Sequence, residues 1–141
     1  QSEGTEIQLR VTSTSMLPMI RSGDTIVVET HQTEKFRRGD IVVRVEETHP
    51  GAQSADWVVH RLVGISKQGW LTKGDNLRVF DRPATPLALI GRVIQIKRPS
   101  QTIHLQQFPW PWVNCYMGFH HFCLGKVVYY LRRLRGRVKS T

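Results

Sequence analysis

Short runs rich in Val, Ile and Thr recur along the first hundred residues, each closed by a polar turn. Ile7–Val11, Thr25–Glu29, Asp40–Val45, Trp57–Ile65, Trp70–Lys73 and Leu89–Ile96 have the length and composition of strands. Between them stand Ser22-Gly23-Asp24, Arg38-Gly39-Asp40, Gly74-Asp75-Asn76 and Asp81-Arg82-Pro83, all of them turn-forming combinations. Many short strands joined by polar turns favour an antiparallel arrangement over βαβ units. The fold class expected is mostly β, a coiled antiparallel sheet or barrel-like domain. The Gly-Asp turns recur with different flanks, so turn chemistry accounts for them without internal duplication.

A chain of 141 residues makes one domain, and 40% hydrophobic with 22% charged residues is an ordinary globular balance. Such a chain buries roughly two thirds of its unfolded surface, enough for a core of its own. The division expected is a β domain over 1–99 and a C-terminal extension over 100–141. In the extension, Phe108-Pro109-Trp110-Pro111-Trp112 excludes an ordinary helix interior, because each proline lacks a donor and constrains its predecessor. From Val113 to Leu134 a helix fits, rich in aromatics and running into Arg132-Arg133-Leu134-Arg135-Gly136-Arg137. Two readings stand. Aromatics followed by cations suit an anionic membrane surface, whereas the same amphipathic pattern also suits an arm packed on the β-core.

The formal charge of +9 points to anionic lipid or nucleic acid as a partner class. No nucleic-acid module accompanies the charge, so nucleic acid is not expected. Cys115 and Cys123 make no disulfide framework, and their spacing around His120 and His121 fits no standard zinc pattern; neither metal nor cofactor is expected. No secretory signal or long apolar span is visible, and the stretch from Trp110 to Leu131 is too polar to cross a bilayer. The first residue is Gln1 rather than Met, which is compatible with removal of an upstream segment.

Three blocks carry chemistry. The first runs Ser13-Thr14-Ser15-Met16-Leu17-Pro18-Met19-Ile20-Arg21-Ser22-Gly23-Asp24. The second is Asp56-Trp57-Val58-Val59-His60-Arg61-Leu62-Val63-Gly64-Ile65, and the third is Gly69-Trp70-Leu71-Thr72-Lys73-Gly74-Asp75-Asn76 continuing to Asp81-Arg82. A serine hydroxyl needs an adjacent base and a rigid mounting, which Pro18 would help to provide. A neutral imidazole can take its proton without the large pKa depression a lysine base requires.

In order, spacing and content these blocks resemble the signal peptidase I family, in the histidine branch found in endoplasmic-reticulum and archaeal enzymes. The resemblance covers roughly Val11 to Ile96. It implies a serine endopeptidase acting on an extended polypeptide such as a signal or leader peptide. Ser15 is then the nucleophile and His60 the general base. The oxyanion donors implied are the Ser15 N–H and the Ser13 hydroxyl, although Thr14 stands where the family usually has Gly. Met16 and Leu17 would wall an apolar groove, with Met16 and Pro18 supporting the nucleophile. Asp81 is favoured as the third member that orients His60, with Asp75 as its rival, and Lys73 is read as structural. His31, His49, His104, His120 and His121 have no matching context and are read as structural or solvated. The family's N-terminal membrane anchor has no counterpart in this sequence. The location implied is membrane-associated and extracytoplasmic, with the cytoplasm as an alternative.

Two other classes remain. A LexA-like self-processing regulator shares the serine block, but it uses lysine and cuts itself at Ala-Gly or Cys-Gly, dipeptides that do not occur here. A non-catalytic membrane- or nucleic-acid-binding module on the same scaffold is the third reading. It would not need Ser15, His60 and Asp81.

Overall fold

The computed structural model describes residues 4–30, 36–47 and 55–138. His31 and His49 lie outside the described residues. Seven strands form one antiparallel sheet: β1 (Glu6–Arg10), β2 (Thr25–Thr30), β3 (Ile41–Glu47), β4 (Ala55–Ser66), β5 (Gly69–Lys73), β6 (Leu89–Arg98) and β7 (Gln101–His104). The order across the sheet is β1-β2-β6-β3-β4-β5, and β7 pairs with the far end of β6. The sheet coils without closing, so the fold is mostly β with an open edge at β1 and another at β5. Register shifts at Val27/Val28, Val43/Arg44 and Leu62/Gly64 supply local bends, since an unpaired residue increases the twist of its strand.

Alternation along β3 shows how the sheet buries both faces. Ile41 and Val43 join a core with Val11, Met16, Ile20, Ile26, Val28, Val93 and Ile96, whereas Val42 joins Phe36, Leu62, Ala84 and Leu89 on the other side. Met16 and Ile20 sit in the first core, which anchors the loop after β1 at two points. At the Ser22-Gly23-Asp24 turn, Asp24 accepts from the Arg21 N–H at 2.8 Å and from Arg98 Nε at 3.0 Å. Burial would raise the Asp24 pKa, but Arg98 and the Arg21 N–H outweigh it and hold the carboxyl below its ordinary value.

Helix α1 (Trp110–Val138) follows β7 and packs on β4. It begins three residues earlier than the proline pattern suggests. Pro111 lies in the first turn, where a missing N–H costs no intrahelical bond. Strand β7 falls in the stretch read from sequence as the C-terminal extension. It pairs with β6 from Gln95↔His104 to Arg98↔Gln101, and Ile103 and Leu105 enter the first core.

The helix meets the sheet domain at the Arg38-Gly39-Asp40 turn. Gly39 has φ +99°, and a Cβ there would lie 2.3 Å from the Asn114 carbonyl oxygen. Gly23 has a similar φ of +93°, but a Cβ there would meet nothing within 4 Å. Gly23→Ala is therefore expected to cost only backbone strain, about 1–2 kcal/mol. Gly39→Ala adds displacement of the helix and should cost about 2 kcal/mol more. Urea denaturation of both variants measures the difference, and equal losses would contradict tight docking of the helix on this turn.

Candidate active site

Ser15 lies in the turn after β1, half-buried above the core-facing Met16. The loop is held from the other side by the turn after β5. The Asn76 N–H donates to the Ser15 carbonyl at 2.8 Å, Asn76 Nδ2 donates to the Thr14 carbonyl at 3.3 Å, and the Asp75 N–H meets Met16 Sδ at 3.5 Å. Gly74 permits this approach, because a Cβ there would lie 2.8 Å from the Ser15 oxygen. Ser13 Oγ stands 3.1 Å from Ser15 Oγ, within hydrogen-bond distance. Thr14 does not need glycine's freedom, since no non-glycine residue among those described has positive φ. The Leu17–Pro18 peptide is cis, and Pro18 is exposed.

His60 is buried on β4, with Nδ1 2.6 Å from Asp81 Oδ2. The same carboxylate oxygen accepts the Thr72 hydroxyl at 2.6 Å. Arg44 Nη1 donates to Thr72 Oγ1 at 2.9 Å and to the Arg82 carbonyl at 3.0 Å, and lies 3.8 Å from Asp81 Oδ2. An ionised carboxylate only accepts, so this arrangement places the imidazole proton on Nδ1 and leaves Nε2 as the basic nitrogen. Ser15 and His60 line one cavity of about 400 Å³, together with Ser13, Leu9, Val11, Trp57 and Val59. Ser15 Oγ rests against Ser13 rather than on His60.

Asp75 is engaged elsewhere. Arg61 Nε and Nη2 bind its two oxygens at 2.8 and 2.7 Å, and both side chains are fully buried. Arg61 Nη1 also donates to the Gly39 carbonyl and to Asn114 Oδ1, each at 2.8 Å. Consecutive residues of β4 thus serve different partners, because strand side chains alternate in direction. His60 meets Asp81, and Arg61 meets Asp75 and the helix.

Neither Met16 nor Leu17, expected as a groove wall, lines this cavity, and Met16 lies in the core beneath the serine loop. Several residues beside the site were missed. Thr72 belongs to the third block but shows its contact with Asp81 only in three dimensions. Arg44 left one trace, a cation within the apolar run Ile41-Val42-Val43-Arg44-Val45. His121, read as structural or solvated, is buried on the helix, with Nδ1 3.0 Å from Lys73 Nζ and Nε2 3.4 Å from Asp75 Oδ1. His104 and His120 are exposed, as are the free thiols of Cys115 and Cys123.

Burial, then the charge of Lys73, depresses the His121 pKa below the ordinary 6.5, and Asp75 opposes this only partly. Burial likewise lowers the Lys73 pKa against the pull of Asp75 and Asp81. A depressed imidazole stays neutral in the fold while the unfolded chain takes up a proton below pH 6.5. Its contribution to stability is complete above that pH and is lost as the pH falls toward the folded-state value. Urea midpoints measured from pH 7 to pH 5 should therefore fall less steeply in His121→Gln than in wild type. Identical slopes would show that His121 titrates normally.

Residues 2–94 match the family model described as Peptidase S24-like. No curated protein and no solved structure matches the chain.

Proposed function

The chain belongs to the Peptidase S24-like family, a serine peptidase scaffold, and we propose that it is an endopeptidase of signal peptidase I type working through Ser15, His60 and Asp81. The observation that carries this reading is the 2.6 Å contact between His60 Nδ1 and Asp81, beside a cavity that His60 shares with Ser15. The base position holds an imidazole, and Asp81 presents an acceptor to it in the geometry that a triad requires. A self-cleaving regulator of LexA type would use a lysine at the base position, where this chain has His60.

The substrate proposed is an extended polypeptide. Strand β1 is paired only with β2 among the described residues, so its outer edge can accept a further strand through main-chain bonds. Leu9, Val11, Trp57 and Val59 offer the cavity apolar surface for its side chains. Ser15 Oγ turns from Ser13 to His60 and gives its proton to Nε2 as the Oγ–carbon bond forms. The carbonyl oxygen becomes an oxyanion, held by the Ser15 N–H and the Ser13 hydroxyl; one donor of this kind contributes about 3–4 kcal/mol in the transition state. His60 then passes the proton to the departing amine as the carbon–nitrogen bond breaks. Water, deprotonated by His60, attacks the acyl carbon, and His60 returns the proton to Ser15 Oγ as the carbon–Oγ bond breaks. Asp81 stabilises the imidazolium in both halves, and Thr72 with Arg44 holds Asp81 in place.

Cleavage of leader-peptide substrates with small residues before the cut, together with labelling by a serine-directed phosphonate, tests the assignment. Ser15→Ala and His60→Ala should each lower cleavage by about 10³-fold or more with the fold retained. Cleavage undiminished in Ser15→Ala would sink the proposal. The two acids separate by different losses. Asp81→Asn should keep a folded protein and lose roughly 10²–10⁴ in rate. Asp75→Asn leaves Arg61 buried without its charge partner and should destabilise the fold by about 3–5 kcal/mol.

A further inference from the structure

Helix α1 is amphipathic in the reverse of the usual sense. The stripe it buries is Asn114, Gly118, His121 and Gly125. Asn114 meets Arg61, Gly118 meets Gly39, His121 meets Lys73, and Gly125 lies against the Phe80 ring. Spacings of four, three and four keep these residues on one side. A second stripe with the same periodicity runs along the opposite side: Trp112, Tyr116, Phe119, Cys123, Val127 and Tyr130. All six are exposed, Trp112 to 75% and Tyr116 to 66%. Leu131, 55% exposed, and the exposed Arg132, Arg133 and Arg135 follow at the C-terminal end. From 100 to 141 the sequence contains no Asp or Glu.

We propose that this outward face of α1 is an interfacial anchor for a bilayer containing anionic phospholipid, with the helix lying in the plane of the headgroups. Trp and Tyr carry an apolar body with a polar handle, which suits the boundary between headgroup and acyl chain. Arg133 flanks this face, and Arg132 and Arg135, on other sides of the same last turns, reach lipid phosphates through their long side chains. A second copy of the chain offers no carboxylate on the matching face. A coiled-coil seam between two copies of the helix would be built from Leu, Ile and Val rather than from Trp, Tyr and Phe. Single-stranded RNA would stack on the rings but gives no use to Val127 and Leu131, which sit beside them. No helix among the described residues is long and apolar enough to cross a membrane, so α1 lies on the bilayer rather than through it. No residue of α1 lines the Ser15–His60 cavity, so the anchor is independent of the peptidase reading.

The test is co-sedimentation of the full chain with phosphatidylcholine vesicles and with vesicles containing phosphatidylglycerol. Wild type should partition onto the phosphatidylglycerol vesicles and lose most of that binding in high salt. Arg132→Gln, Arg133→Gln and Arg135→Gln together should weaken partitioning by about a hundredfold, at roughly fivefold per cation. Trp112→Ser with Phe119→Ser and Tyr130→Ser should weaken it at least tenfold. All these positions are exposed, so circular dichroism should stay unchanged. In otherwise native protein, brominated lipid should quench tryptophan fluorescence, and Trp112→Phe should remove most of that quenching. Absence of binding to either vesicle would overturn the proposal. So would a lipid-free dimer abolished by the aromatic substitutions, or a preference for single-stranded RNA over vesicles.

Discussion

Arg61 and Asp75 have no exposed side-chain surface, and four parts of the chain meet through them. Arg61 belongs to β4, Asp75 to the turn after β5, the Gly39 carbonyl to the turn before β3, and Asn114 to α1. The turn that carries Asp75 also grips the serine loop, through the Asn76 N–H on the Ser15 carbonyl and the Asp75 N–H on Met16. The position of the proposed nucleophile is therefore set from the same ion pair that seats the helix. Removing either charge would leave the other stranded in the interior, which is far costlier than losing an exposed pair.

His60 stands next to Arg61 in the strand, and alternation separates their tasks. One step along β4 turns from a contact that fixes structure to a contact that prepares an imidazole. The rigidity of the first passes to the second through a shared backbone held by β3 on one side and β5 on the other. Thr72 and Lys73 repeat this division on β5: Thr72 bonds Asp81, and Lys73 bonds His121. Two neighbouring strands thus carry parallel pairs, each with one residue toward the Asp81 cluster and one toward the Asp75 cluster.

The β-architecture was legible because strand periodicity and turn residues are local signals, and six of the seven strands announce themselves in that way. Strand β7 does not. Of Gln101–His104 only Ile103 is buried, and the strand exists through pairing with the end of β6. Ser15, His60 and Asp81 stand out as candidates by their neighbours in sequence; in the structure His60 meets Asp81 and lines one cavity with Ser15. The rivalry of Asp75 could not be resolved without seeing its bidentate partner. Arg44, Asn114 and His121 stayed hidden for one reason: each acts across a long sequence separation, through a contact that no local pattern encodes, whereas Thr72 lies in the same block as its partner Asp81. The helix itself was expected, but hydropathy suggests that a helix rich in Trp and Tyr buries them, and here the polar stripe faces inward.

That inversion follows from what the helix covers. The surface beneath it presents Arg61, Lys73 and Asp75, groups that must find polar partners once water is excluded. Asn114 and His121 supply them, and Gly118 and Gly125 bring the helix close enough to reach. An apolar stripe in their place would leave buried charges unanswered, and an aromatic one would hold the helix too far away. A buried ion cluster is a weak source of net stability, but its directional bonds can fix a single register, whereas apolar contacts tolerate sliding. With the inward stripe committed to that task, Trp112, Tyr116, Phe119 and Tyr130 are left exposed on the opposite side, while Phe122 packs beside the stripe against Phe80 and Trp110 against the sheet core. The face proposed to meet lipid is in this sense a consequence of the ionic core on which the turn carrying the proposed nucleophile is built.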